Sequence, residues 1–166
     1  RLWVNPPRLS AARVRVADLV WVDRGMLDLT GPGLERPWLA LHSALYAAET
    51  YTCRLMKFNI TAPGKVAPDA GPGGPGIPLY RPAGYKFFDS LAMEAGGNIC
   101  VATIGECGIS VISSEGDLVE FVATDDIFTT NIAFGGDDMM DAYITLSGSG
   151  RLVKTRWNRP GLKLNY

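Results

Sequence analysis

The chain has 166 residues, with 16 Lys plus Arg against 17 Asp plus Glu and 47% hydrophobic residues. A balance this flat sets up no long-range field toward nucleic acid or an anionic membrane. No apolar run approaches the roughly 18 residues a membrane span needs, so a soluble protein is expected, cytoplasmic first, with the periplasm or secretion left open. The three cysteines, Cys53, Cys100 and Cys107, are odd in number and lack C-x-x-C spacing. That speaks against a disulfide framework or a zinc site and leaves reduced, largely buried thiols.

The first forty residues stand apart. RLWVNPPRLSAARVRVADLVWVDRG carries five arginines and two tryptophans and shows neither a hairpin unit nor clean helix periodicity. After Ser43 the chain repeats itself. ALYAAETYTCRLMKFNI (44–60), NICVATIGECGISVISS (98–114) and DAYITLSGSGRLVKTRW (141–157) align without gaps. Each opens on a short β-branched or aromatic run, passes a polar turn and resumes as an alternating strand, which predicts three hairpins.

FDSLAME (88–94) and TNIAFGG (130–136) add a strand ahead of two of these hairpins, through turns built on Gly and Asp. LVEFVA (118–123) adds a fourth strand after the second. Cys100 and the matching Tyr143 lie 43 residues apart, and Tyr46 and Cys100 lie 54 apart. Four strands per roughly 40 to 45 residues is the pitch of a β-propeller blade. The longer step holds a Pro/Gly-rich insertion, 62–82, whose GPGGPG core is unsuited to a regular strand. With no Lys-Ser/Thr pair and no helix after it, it is read as a surface loop and not as a phosphate-binding loop.

Other candidate chemistry is sparse. His42 is the only histidine, and without a G-x-S-x-G elbow a Ser-His-Asp mechanism is discounted. Asp125 and Asp126 fall on a loop at a blade rim and read as a solvated turn. Asp137, Asp138 and Asp141 lack the alternating spacing of a calcium loop and read as a hairpin turn. Cys53 and Cys107 occupy equivalent turns with no histidine nearby in sequence, so neither reads as a nucleophile.

The string YRPAGYKFFDSLAMEAGGNICVATIGECGISVISSEGDLVEF, followed by TTNIAFGGDDMMDAYITLSGSGRLVKTRW, resembles the C-terminal blades of the gluconolactonase/regucalcin (senescence marker protein) family. The similarity covers 44–166; an ETYT-type turn alone is shared with strictosidine-synthase-like propellers. The resemblance implies an all-β fold, here a partial six-bladed β-propeller of about three four-stranded antiparallel blades. It further implies one divalent cation in the central channel, Ca²⁺ first, with Zn²⁺, Mg²⁺ or Mn²⁺ as alternatives. The activity it implies is hydrolysis of a small-molecule partner, a sugar lactone or related cyclic ester.

The family's ligands are an early glutamate, an asparagine in a P-N-G-type opening and an aspartate in a D-G-L-A-type opening. The last matches Asp89, which the resemblance makes both metal ligand and catalytic general base. Ser90 and Phe88 stand where the family favours glycine and proline. Asn131, twelve residues before Tyr143 as Asp89 is eleven before Cys100, is expected to face the same channel, touching substrate or satisfying backbone.

Counting back in the same way from Tyr46 reaches Glu35, where the family has asparagine. A carboxylate oxygen at Glu35 would suit Ca²⁺, but the neighbouring Pro37 and Trp38 break the strand, so a substitute-ligand role is disfavoured. Glu35-Arg36-Pro37-Trp38 is also compatible with a codon string that reads Asn-Gly-Leu-Gly one base later. Residues 1–43 are therefore read as an atypical segment, truncated or frame-shifted propeller sequence. Three blades cannot close a ring, so impaired turnover is expected from these residues alone, the alternatives being a non-catalytic propeller binding module or an inactive gene fragment.

Overall fold

A computed structural model describes residues 20–22, 44–62, 65–67 and 76–163, all of them in strands, turns and connections, with no helix among them. The strands form three antiparallel sheets in chain order. The first holds β1 (Val20–Val22), β2 (Ala44–Glu49) and β3 (Arg54–Ala62), with β4 (Lys65–Val66) and β5 (Ile77–Tyr80) both pairing with β3. The second runs β6 (Phe87–Met93), β7 (Ile99–Ile104), β8 (Gly108–Ile112) and β9 (Leu118–Ala123) as a meander. The third holds β10 (Thr129–Gly135), β11 (Asp141–Leu146) and β12 (Arg151–Arg156).

The register confirms the gapless repeat. Tyr46 pairs with Lys57, Cys100 with Val111 and Tyr143 with Lys154, the same offset in each hairpin. The hairpin turns agree down to one backbone angle: Cys53, Cys107 and Gly150, in equivalent places, have φ of 54°, 59° and 66°. Only glycine enters that left-handed region without steric cost, so two of the three turns carry strain that the third avoids.

Burial follows strand position. β7, covered on both faces, is a continuous apolar run with five of its six residues buried, as a strand inside a stack must be. β9, outermost, is largely exposed. One core cluster joins the first and second sheets through Tyr46, Leu55, Phe88, Leu91 and Val101, with Tyr80 stacked on Phe88 at 6.2 Å between ring centroids. A second joins the second and third sheets through Ile109, Val111, Ile132, Ile144 and Trp157. β6 lies against β2 on one side and β10 on the other. Successive antiparallel sheets packed face on face, with their inner strands side by side, are the blades of a β-propeller.

Two observations depart from the sequence reading. The insertion 62–82 is not loop throughout: its last part forms β5, with Pro78 opposite Met56. Proline is tolerated there because β5 is an edge strand, where a missing N–H leaves no ladder bond unmade. Ahead of Ser43, Val20–Val22 pairs antiparallel with β2, a strand the patterning did not signal. Glu35, His42 and the rest of the stretch before Ala44 lie outside the described residues.

Candidate functional site

Asp89 is the third residue of β6 and sits in a β-bulge. Phe88 pairs with Thr103 and Leu91 with Val101, so Asp89 and Ser90 together oppose the single residue Ala102. Phe88 and Leu91 are fully buried and anchor the strand on either side. Between them the extra residue breaks the alternation and re-aims the carboxylate, which bulges beside functional sites commonly do. Asp89 is half-buried and Ser90 buried.

β10 carries a bulge at the same level. Thr129 pairs with Leu146 and Asn131 with Thr145, leaving Thr130 as the extra residue. Aligned through Cys100 and Tyr143, it is Thr130 that matches Asp89, while Asn131 matches Ser90. The count from Tyr143 was one residue out because β10 and β11 each run one pair further toward their shared turn than β6 and β7 do. Asn131 still belongs to the bulged segment. Its Oδ1 is buried with no hydrogen-bond partner among the described residues, and a buried acceptor left unpaired costs about 1–3 kcal/mol. The Thr130 hydroxyl lies 2.9 Å from that of Thr145 and 2.6 Å from that of Ser147.

The loop leading into β10 is built on Asp126, which is buried rather than solvated. Its Oδ1 accepts the Phe128 and Gly148 N–H groups at 2.8 and 3.1 Å. Its Oδ2 accepts the Ser149 N–H and hydroxyl at 2.7 and 2.6 Å. These bonds, Ser149's first, hold the carboxyl below its ordinary pKa and clasp the loop to the β11–β12 turn. Asp125 is exposed and paired with Arg151 at 2.7 Å. Asp138 and Asp141 are tied by Arg156 and Lys154. Their hairpin-turn reading stands, and the Arg156 hydrogen bond draws the Asp138 pKa down to about 2.

One constellation was not anticipated. At the opposite end, in the β6–β7 turn, the Glu94 side chain is 1% exposed and forms an ion pair with Arg159 at 2.6 Å. Trp157 Nε1–H and Asn98 Nδ2–H also donate to it, at 2.7 and 2.8 Å. Burial raises its pKa, but the hydrogen bonds from Arg159, Trp157 and Asn98 outweigh that and leave the carboxyl below its ordinary range. Burial, and then Glu94, push the Cys100 thiol well up, so it is inert as a nucleophile. Two of these partners, Trp157 and Arg159, come from the segment 157–163, which returns to the β6–β7 turn. There the Leu162 N–H donates to the Met93 carbonyl and the Ala95 N–H to that of Pro160, both at 2.8 Å. Glu94 is therefore a structural latch.

Among the described residues no three His, Cys, Asp or Glu side chains converge to hold a metal ion. The Asp89 carboxylate is nevertheless a donor of the kind a hard cation takes.

The comparisons with known proteins agree with this architecture. Residues 37–148 match the family described as SMP-30/Gluconolactonase/LRE-like region. The chain belongs to that family. Among solved structures it is similar to a protein assigned as a gluconolactonase, with 23% identity, a TM-score of 0.58, and coverage of 72% of this chain and 37% of that one. It is similar to a regucalcin from Agrobacterium tumefaciens str. C58, described as a calcium-binding protein, with 19% identity, a TM-score of 0.61, and coverage of 73% and 44%. A luciferin-regenerating enzyme shows 19% identity and a TM-score of 0.58, with coverage of 78% and 47%. The chain thus spans less than half the length of each of these structures. No curated protein matches it.

Proposed function

We propose that this chain supplies three blades of a metal-dependent hydrolase acting on a sugar lactone or a related cyclic ester. The observation that carries the reading is the family match over residues 37–148, taken with the placement of Asp89 at a bulge of the strand packed between the two neighbouring blades. In this reading Asp89 is a metal ligand and the catalytic base, and Asn131 binds substrate. Ca²⁺ is the favoured ion, since the Asp89 carboxylate offers oxygen. Such an ion, when bound, polarises the lactone carbonyl and stabilises charge on its oxygen.

The chain's own residues then have simple tasks. Asp89 accepts a proton from the attacking water as the water oxygen bonds to the carbonyl carbon. The ring C–O bond breaks, the proton passes to the departing alkoxide, and a hydroxy acid is released. Asn131 Oδ1, a buried acceptor without a partner among the described residues, is suited to receive a hydrogen bond from a hydroxyl on the ring.

The alternative is a non-catalytic propeller module that binds a metal or a partner, since one fold hosts sites of unrelated function. A pH-stat assay on gluconolactone with and without added Ca²⁺ separates the two. The hydrolase reading expects Ca²⁺-dependent acid release, weak for these blades alone, that drops about 10²- to 10⁴-fold in Asp89→Asn, the usual worth of a general base. Turnover indifferent to Asp89→Asn refutes its catalytic assignment, and no turnover under any metal favours the module.

A further inference from the structure

The bulge of β10 is held by groups far from it in sequence. Ahead of it the Asp126 carboxylate binds the Phe128 N–H of its own loop at 2.8 Å, and the Gly148 and Ser149 N–H groups of the β11–β12 turn at 3.1 and 2.7 Å. The Asp126 main chain joins in: its carbonyl accepts the Thr129 hydroxyl at 2.9 Å. Thr129 is fully buried, pairs with Leu146 and immediately precedes the bulge. Across the hairpin the Phe128 carbonyl accepts the Ser147 N–H at 2.8 Å, and the Thr145 and Ser147 hydroxyls hold that of Thr130 at 2.9 and 2.6 Å. β6, which carries Asp89 in its own bulge, packs along β10.

Within this network one atom is left over. Asn131 lies opposite Thr145, and its Oδ1 is buried with no partner among the described residues, while the hydroxyls of Thr130, Thr145 and Ser147 satisfy one another. An unpaired acceptor on a backbone already fixed favours a donor strongly, because little ordering remains to be done on binding. The ring and carbonyl oxygens of a lactone only accept, so the donor has to be a hydroxyl substituent.

We propose that Asp126 is a positioning residue for the substrate site: through Thr129 and the β11–β12 turn it fixes the β10 bulge, and Asn131 so held selects lactones bearing a free hydroxyl over their deoxy counterparts. This rests on the hydrolase reading above and adds the residue that sets selectivity and the one that holds it in place. Asp126 itself touches no substrate, since each of its carboxylate oxygens already accepts two hydrogen bonds from the chain. The clasp is close: a Cβ at Gly148 would lie 2.5 Å from Asp126 Oδ1.

The test compares gluconolactone with its monodeoxy analogues, hydrolysed by the intact chain with Ca²⁺. One analogue is expected to lose about ten- to a hundred-fold in kcat/KM, the worth of a hydroxyl that satisfies a buried acceptor. Asn131→Leu is expected to erase that preference by weakening gluconolactone alone. Asp126→Asn sets an NH₂ group against two donors, and Gly148→Ala displaces the carboxylate while keeping its charge. Both are expected to raise KM for gluconolactone several-fold while its kcat and the deoxy KM hold. A role confined to folding moves both substrates together, so an equal loss on the two lactones in these variants overturns the positioning role. Equal kcat/KM across the analogues in the unmodified chain overturns the selectivity and leaves the hydrolase standing. If no lactone is turned over, calorimetry with uncleavable gluconolactam and its monodeoxy analogues decides. Discrimination in binding that Asn131→Leu abolishes upholds the selectivity and removes the hydrolase; uniform binding, or none, overturns it.

Discussion

Replacing Glu94 by Gln removes one charge and changes almost no volume, yet it strikes the seam between the second and third sheets. In the native chain one carboxylate oxygen accepts from Trp157, and the other accepts from Arg159 and Asn98. An amide offers one acceptor and one NH₂ donor, so whichever way it is turned, a donor confronts donors. Three charge-assisted bonds, each worth about 1.5–3 kcal/mol, are weakened together, and loss of a partner from a buried ion pair costs about 3–5 kcal/mol. The Arg159 side chain is 34% exposed and keeps Glu120 as a partner, which places the expected loss near the lower end, about 3 kcal/mol. Urea unfolding followed by tryptophan fluorescence should show the midpoint falling by about 2 M, for a slope near 1.5 kcal/mol per M. The folded pKa of Glu94 lies below its ordinary 4.5, so its ionised form stabilises the fold above that value. The contribution is lost as pH falls through the folded pKa, and the gap between native chain and variant should narrow from about pH 4.5 downward. A loss under about 1 kcal/mol at neutral pH, or a gap unchanged by acid, would refute the latch.

Three further outcomes follow from particular contacts. At Gly161 a methyl would run into the Phe134 ring, so Gly161→Ala should destabilise by about 2 kcal/mol through overpacking, read by thermal melting. Cys107→Gly should leave stability level or raise it by up to about 1 kcal/mol, because it relieves a left-handed residue at φ 59° where the next sheet already has glycine. Native-like stability with cysteine and a clear loss with glycine would contradict that strain. An NMR titration should find Asp138 near pKa 2 in the native chain and back in the ordinary aspartate range in Arg156→Gln, since the Arg156 hydrogen bond is the largest cause of the shift.

Much of the fold could be read from the sequence because hairpins are local: strand alternation and turn residues lie within the same seventeen-residue repeats that the register reproduces. Where positions depended on the length of a ladder, counting failed. Asn131 fell one place from its expected level because the β10–β11 pairing runs one pair further toward its turn than the β6–β7 pairing does, which no turn motif announces. β5 was hidden by Pro78, a residue that forbids a central strand but not an edge one. The site was legible only through resemblance, since an aspartate at a strand entry is otherwise an ordinary turn residue. Asp126 and Glu94 were misread or missed for another reason: their partners lie 22–23 and 63–65 residues away. Burial created by such distant neighbours leaves no mark on the local pattern.

The returning segment 157–163 touches every sheet. Trp157 packs in the cluster between the second and third, Leu162 in the cluster between the first and second, and the backbone between them bridges Glu94. Two seams that share one fastener cannot come apart independently. Opening either interface frees the strip that closes the other, so the three sheets should exchange their amide protons in a common event and not blade by blade, unlike a stack held only by neighbour-to-neighbour contact.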